Sequence, residues 1–115
     1  MDSPFLLLSP LDGRYVDATS PLRDYFSEFA YLRDRVRVEL DLLAGLSKRG
    51  LIRPLSESES EKLISLWKNF SLADAESIRA FERQTRHDVK AIEYFLREKL
   101  QDTSLGDLLS WLHFG

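Results

Sequence analysis

Apolar residues recur every three to four positions along most of this chain, the period of amphipathic helices and not the alternation of strands. The longest such block runs through Leu22, Tyr25 or Phe26, Phe29, Leu32, Val36, Leu40, Leu43 and Leu46. Ser20-Pro21 opens it with an N-cap candidate and a proline suited to a first helical turn, and Gly50 is a C-cap candidate. The spacing predicts one helix of nearly thirty residues, roughly 40 Å long. Tyr31, Val38 and Leu42 widen its stripe beyond one face, which fits contact on two sides, within a bundle or with a partner chain. Ser56 with Glu59 forms a capping box ahead of Leu63, Ile64, Trp67 and Phe70, and the Ser-Glu alternation to Glu61 reads as that helix's solvated first turn. Ser71 with Asp74 starts a segment carrying Leu72, Ala75, Ile78 and Phe81. The pattern then lapses, predicting a break near Glu82 to Gln84. Thr85 with Asp88 restarts it, ahead of Val89, Ile92, Phe95 or Leu96, and Leu100. A last helix start is expected at Thr103 to Asp107, with Leu105, Leu108, Leu109 and Leu112 facing inward.

Residues 1–20 break the pattern. Pro4, Pro10, Asp12 and Gly13, with Ser3, Ser9, Thr19 and Ser20 between them, predict an extended arm instead of a regular helix. No stretch reads convincingly as a strand, and repeats are absent. The expected fold is therefore all-α, a helical bundle with an extended N-terminal arm, and 115 residues predict a single domain.

Composition narrows the function classes. With 43% hydrophobic and 30% charged residues the chain is ordinary for a globular protein. A net charge of −3 with interleaved signs argues against a nucleic-acid binder, so any anion site has to be local. The absence of cysteine excludes a disulfide framework, a thiolate zinc site and a thiol nucleophile. Phe5-Leu6-Leu7-Leu8 is too short for a signal-peptide core and no stretch is long enough for a bilayer, so the expected location is cytoplasmic, with no membrane partner. The chain stops on the apolar Trp111-Leu112-His113-Phe114-Gly115, which leads us to expect that it continues in a longer polypeptide.

Candidate chemistry centres on Thr85-Arg86-His87-Asp88. A helix starting at Thr85 would set Arg86 and His87 in its first turn, where free N–H groups and the helix dipole favour an anion. That dipole contributes only about 0.3–1 kcal/mol, so a site there needs groups from other segments. Asp12-Gly13 makes a turn presenting Arg14 and Tyr15, a fork of donors beside a hydroxyl and a flat face. Each group also has a plain reading, a solvated histidine and a surface arginine beside a packing aromatic. His87 and His113 lack metal-ligand spacing, and there is no glycine-rich phosphate loop or nucleophile elbow. The cationic and polar set that remains suits an anionic small molecule.

Three stretches, Ser9-Pro10-Leu11-Asp12-Gly13-Arg14-Tyr15, Glu82 through Leu96, and His113-Phe114-Gly115, resemble in order and spacing the adenylosuccinate lyase family of the bacterial type. The likeness runs along essentially the whole chain and covers only the N-terminal domain of that fumarase/aspartase-like fold. It implies an enzyme of purine biosynthesis that eliminates fumarate from adenylosuccinate, giving AMP, and from the succinyl-carboxamide ribotide SAICAR, giving AICAR, with no cofactor and no metal. By motif position the resemblance implies that Arg14 and Tyr15 would bind the nucleotide at its phosphate, that Arg86, His87 and Asp88 would line the succinyl end, and that His113 would approach the phosphate. Many members carry Asn where this chain has Arg86. The resemblance puts the general base, a serine of a mobile loop, and the general acid, a histidine of the central domain, outside these 115 residues, and it implies a homotetramer with active sites shared between subunits. The 115 residues alone are then expected to be inactive. The competing expectation is a stand-alone helical interaction module without catalysis, motivated by the wide stripe of the long helix.

Overall fold

The computed structural model describes residues 3–115 as an all-α chain with no strand among them. They fall into two compact units, one ending at Tyr31 and the other spanning residues 32–115.

The first unit is wound more tightly than its turn formers suggest. A 3-10 turn at Pro4–Leu6, capped by the Ser3 hydroxyl accepting from Phe5 N at 3.3 Å, leads into a knot of turns over residues 7–15. Next come α1 (Val16–Thr19), a 3-10 turn at Ser20–Leu22 and α2 (Arg23–Phe26). Thr19 ties this run together by donating to Leu11 O at 2.6 Å.

The single long helix expected from Pro21 to Gly50 is broken at Ser27, so that α3 covers Glu28–Lys48. Ser27 adopts extended ψ, 161°, donates to Arg23 O at 2.6 Å and accepts from Ala30 N at 3.1 Å. Its hydroxyl thus closes one helix and caps the next, a local bond that outcompetes helix continuation. The other end is as expected: Gly50 takes φ 74°, Leu51 N bonds Leu46 O and Gly50 N bonds Ser47 O, both at 3.0 Å, the Schellman pattern.

The second unit packs α3 with α4 (Glu57–Lys68), α5 (Leu72–Thr85), α6 (Asp88–Leu100) and a 3-10 helix at Gly106–Trp111. Leu32, Val36, Leu40, Leu43 and Leu46 give α3 one buried stripe, while Val38 and Leu42 remain exposed. The capping box expected at Ser56 with Glu59 formed and another closes at Ser71 with Asp74, whereas the one expected at Thr85 with Asp88 did not, because Thr85 ends α5 and His87 caps α6. Helices α5 and α6 run antiparallel, because Lys99 at the end of α6 reaches Asp74 at the start of α5 (3.5 Å) and Phe81 stacks near Tyr94. Phe95 is the largest fully buried side chain and meets Phe70 edge to face.

Two expectations need correction here. Glu59 is buried, so the Ser-Glu run is not a wholly solvated turn. Arg53 explains why: its guanidinium makes a paired bond to Glu59 (2.9 and 3.0 Å) and another to Asp107 (2.8 and 2.9 Å). Ser104 Oγ and Ser56 N also donate to Glu59, each at 2.9 Å. The last segment is 3-10 rather than α, and its three-residue turn aligns buried Leu105 and Leu108, with Leu112 also inside and Leu109 half-buried. Gly106 permits this path, since a Cβ there would lie 2.7 Å from Gln101 O.

Candidate functional site

The break between the last two long helices falls later than the apolar lapse predicts. Glu82 to Thr85 stay helical on solvated, helix-tolerant side chains, and α5 ends only where Arg86 adopts the left-handed conformation, φ 54° and ψ 30°. Arg86 therefore caps α5, and His87 is the N-cap of α6 rather than a residue in its first turn. Thr85 spans the elbow, accepting from His87 N at 3.2 Å and donating to His87 O at 3.1 Å. Arg86, His87 and Asp88 are exposed on this elbow.

His87 Nδ1 accepts from Lys90 N at 3.2 Å, which leaves the ring hydrogen on Nε2. Its 4.0 Å approach to Asp88 is on the same nitrogen, so it adds no ion pair in that state. Asp88 accepts from Val89 N at 2.8 Å and from Arg35 Nη1 at 3.0 Å. The Arg35 guanidinium, and next that amide, hold the Asp88 carboxyl below its ordinary range.

His113 lies beyond the 3-10 helix at φ 55°, and its Nδ1 sits 2.6 Å from Glu39 Oε1. Arg35 and Glu39 are four residues apart on α3, on one face and about 6 Å along the axis. One helix thus anchors two of the predicted segments, the 86–88 elbow through Arg35 and His113 through Glu39. Neither anchor was singled out from sequence. Their position flanking Leu32, Val36 and Leu40 was the available signal.

Arg14 and Tyr15 belong to the first unit. Asp12 accepts from Ser9 N at 2.8 Å and Tyr15 N bonds Pro10 O at 2.8 Å, and these close the turn that exposes both side chains. The Arg14 guanidinium stands 5.8 Å from the Tyr15 ring centroid. Gly13 sits at a close approach, where a Cβ would crowd Pro4 O at 3.1 Å. Arg14 also borders a cavity of about 650 Å³ with Phe5, Leu7 and Leu8 on its walls.

Glu59 is the strongest electrostatic feature elsewhere. Arg53, and then the Ser56 amide, push its carboxyl down to about 2. Arg53 also lowers Asp107. Every charge of this cluster is met by a partner, which makes it a clamp between the α3–α4 connector, the start of α4 and the segment leading to His113. Among the described residues no group of three His, Asp or Glu side chains is placed to hold a metal ion, and no helix is long and apolar enough to cross a membrane.

No protein-family model matches the chain. Among known proteins it is similar to the adenylosuccinate lyase of Haemophilus influenzae, 44% identical over 116 aligned residues that cover 97% of this chain and 25% of that protein. The adenylosuccinate lyase of Escherichia coli strain K12 is 39% identical over 97% of the chain and 25% of its own length. That of Dictyostelium discoideum is 37% identical over 94% and 24%. The chain spans about a quarter of the length of these relatives.

Proposed function

We infer, from the chain's membership of the adenylosuccinate lyase family, that it supplies the N-terminal, substrate-binding part of an enzyme that eliminates fumarate from adenylosuccinate and from SAICAR. The observation that carries this reading is the similarity itself, 37–44% identity over 93–98% of the chain, with each relative bearing the same name.

The geometry supports specific roles. Arg14 and Tyr15 offer a guanidinium fork, a hydroxyl and a ring face on one exposed turn, the donor set for a nucleotide phosphate. Arg86, lifted out of both helices by its left-handed backbone, presents a second guanidinium to the succinyl carboxylates. His87 presents Nε2–H beside it, a neutral donor held in orientation by the Lys90 amide. Asp88 lines the same end with its charge taken up by Arg35, so it does not leave an unpaired negative charge facing an anionic substrate. His113 contributes from beyond the 3-10 helix, held by Glu39 on the adjacent turn of α3.

In the reaction, a general base removes the proton from the succinyl carbon and a general acid protonates the departing nitrogen. Both groups belong to parts of the enzyme beyond these residues, and this chain binds and orients the substrate. Exposed Val38, at 66% of its surface, and Leu42 on α3 support packing against further protein, in keeping with a cytoplasmic homotetramer of purine biosynthesis. The test is fumarate release from adenylosuccinate. The natural full-length protein is expected to release fumarate and the 115-residue chain alone to release none; an inactive full-length protein refutes the enzyme assignment, and release by the chain alone refutes its dependence on other domains.

A further inference from the structure

His113 combines three features that one function accounts for. Its backbone is left-handed, φ 55°, a conformation uncommon for a side-chain-bearing residue. Its ring is half exposed, 51%, while the carboxylate it meets is mostly buried, with Glu39 exposed to 13%. The contact is short, 2.6 Å between Nδ1 and Oε1, in the range of a charge-assisted bond. An ionised carboxylate has no hydrogen to give, so Nδ1 supplies it and the ring's lone pair lies on Nε2. Glu39 Oε2 is buried with no hydrogen-bond partner, so His113 is what holds this carboxylate among the described residues.

We propose that Glu39 is a positioning residue: by taking Nδ1–H of His113 it fixes the ring and turns Nε2 outward to meet an anionic oxygen of the substrate. This proposal rests on the lyase reading for the identity of that substrate. When a proton from solvent occupies Nε2, the imidazolium lies between the Glu39 carboxylate and the substrate oxygen, and Nε2–H is its one free donor. His87 is set the opposite way, because its Nδ1 accepts from Lys90 N and Nε2 carries the hydrogen in the neutral ring. The two histidines are therefore held in opposite tautomers by different partners, His113 by Glu39 of α3 and His87 by the Lys90 amide of α6.

The test uses Glu39→Gln in the natural full-length enzyme, a change that keeps size and removes the counter-charge. KM is expected to rise about tenfold with kcat within about threefold, as for a lost binding contact. In a His113→Ala background Glu39→Gln should produce no further rise. The inhibition constant of AMP separates two sources of the oxygen. If it rises in step with KM, Nε2 meets the phosphate; if KM alone rises, it meets a succinyl carboxylate; both support the proposal. An unchanged KM, a fall in kcat equal to that in kcat/KM, or an undiminished effect without His113 overturns it. A readout independent of lyase activity is the nitrogen spectrum of histidine-labelled native protein, in which His113 is expected to be protonated at Nδ1. A free Nδ1 overturns the proposal whether or not the protein proves to be a lyase.

Discussion

Arg86 lets stability and function be pulled apart at one position. For an L-residue the left-handed conformation costs roughly 1–2 kcal/mol, which glycine escapes because it has no Cβ. Glycine in turn loses about 0.5–1 kcal/mol more backbone entropy on folding than alanine. At φ 54° the difference leaves Arg86→Gly about 0.5–1 kcal/mol more stable than Arg86→Ala. Inside a helix the sign reverses, with glycine the worse by about 0.5–1 kcal/mol, and that is the order a helix beginning at Thr85 would produce. The assay is urea unfolding followed by Trp67 and Trp111, both in the 32–115 unit. For a slope near 2 kcal/mol/M the glycine midpoint should lie about 0.3–0.5 M above the alanine midpoint. Both variants lose the guanidinium, so under the proposed lyase reading KM for adenylosuccinate in the full-length protein should rise by a similar factor in each, on the order of 10–100 for a charged hydrogen bond. A midpoint for alanine equal to or above that for glycine refutes the argument from backbone strain.

Glu59 predicts an acid-sensitive window. Its folded carboxyl titrates at about 2, below the ordinary 4.5, so the unfolded chain binds more protons between those values and stability falls as pH drops through them. Asp88 and Asp107, also lowered, act with the same sign. Glu59→Gln should lower the urea midpoint at pH 7 and flatten its decline between pH 5 and pH 2.5; an unchanged slope across that range would count against the Arg53 clamp. Phe95 is 1% exposed and meets Phe70 at 6.1 Å, so Phe95→Ala should cost about 3–5 kcal/mol in denaturant unfolding. A loss under 1 kcal/mol would mean that α6 is not packed as described.

Much of the architecture follows from local rules, and those features were legible in the chain before any coordinates. Ser56, Ser71 and Gly50 each decide a helix end through bonds to residues three to five positions away, so their signals lie within one turn of sequence. The buried stripe of α3 is equally local, because periodicity alone separates Leu32, Val36, Leu40 and Leu43 from their neighbours. Ser27 shows the limit of that logic. A serine inside an apolar period looks tolerable in a helix, and only the competing bonds of its hydroxyl to Arg23 O and Ala30 N decide for a break. The elbow at 86–87 misleads in the opposite direction, since polar residues from Glu82 to Thr85 prolong α5 without any apolar signal.

What depended on tertiary structure is long-range charge pairing. Arg35 with Asp88, Glu39 with His113, and Arg53 with Asp107 join positions that are 53, 74 and 54 residues apart. On sequence alone each of these side chains has many possible partners, and nothing in its own neighbourhood selects one. The assembled fold makes the selection: α3 holds Arg35 and Glu39 one turn apart where the 86–88 elbow and His113 return to it, and Arg53 sits where the segment after α3 meets the one carrying Ser104 and Asp107. The motifs carrying Arg86, His87, Asp88 and His113 were thus readable from the chain, while Arg35 and Glu39, which hold Asp88 and His113, became visible only once the helices were assembled.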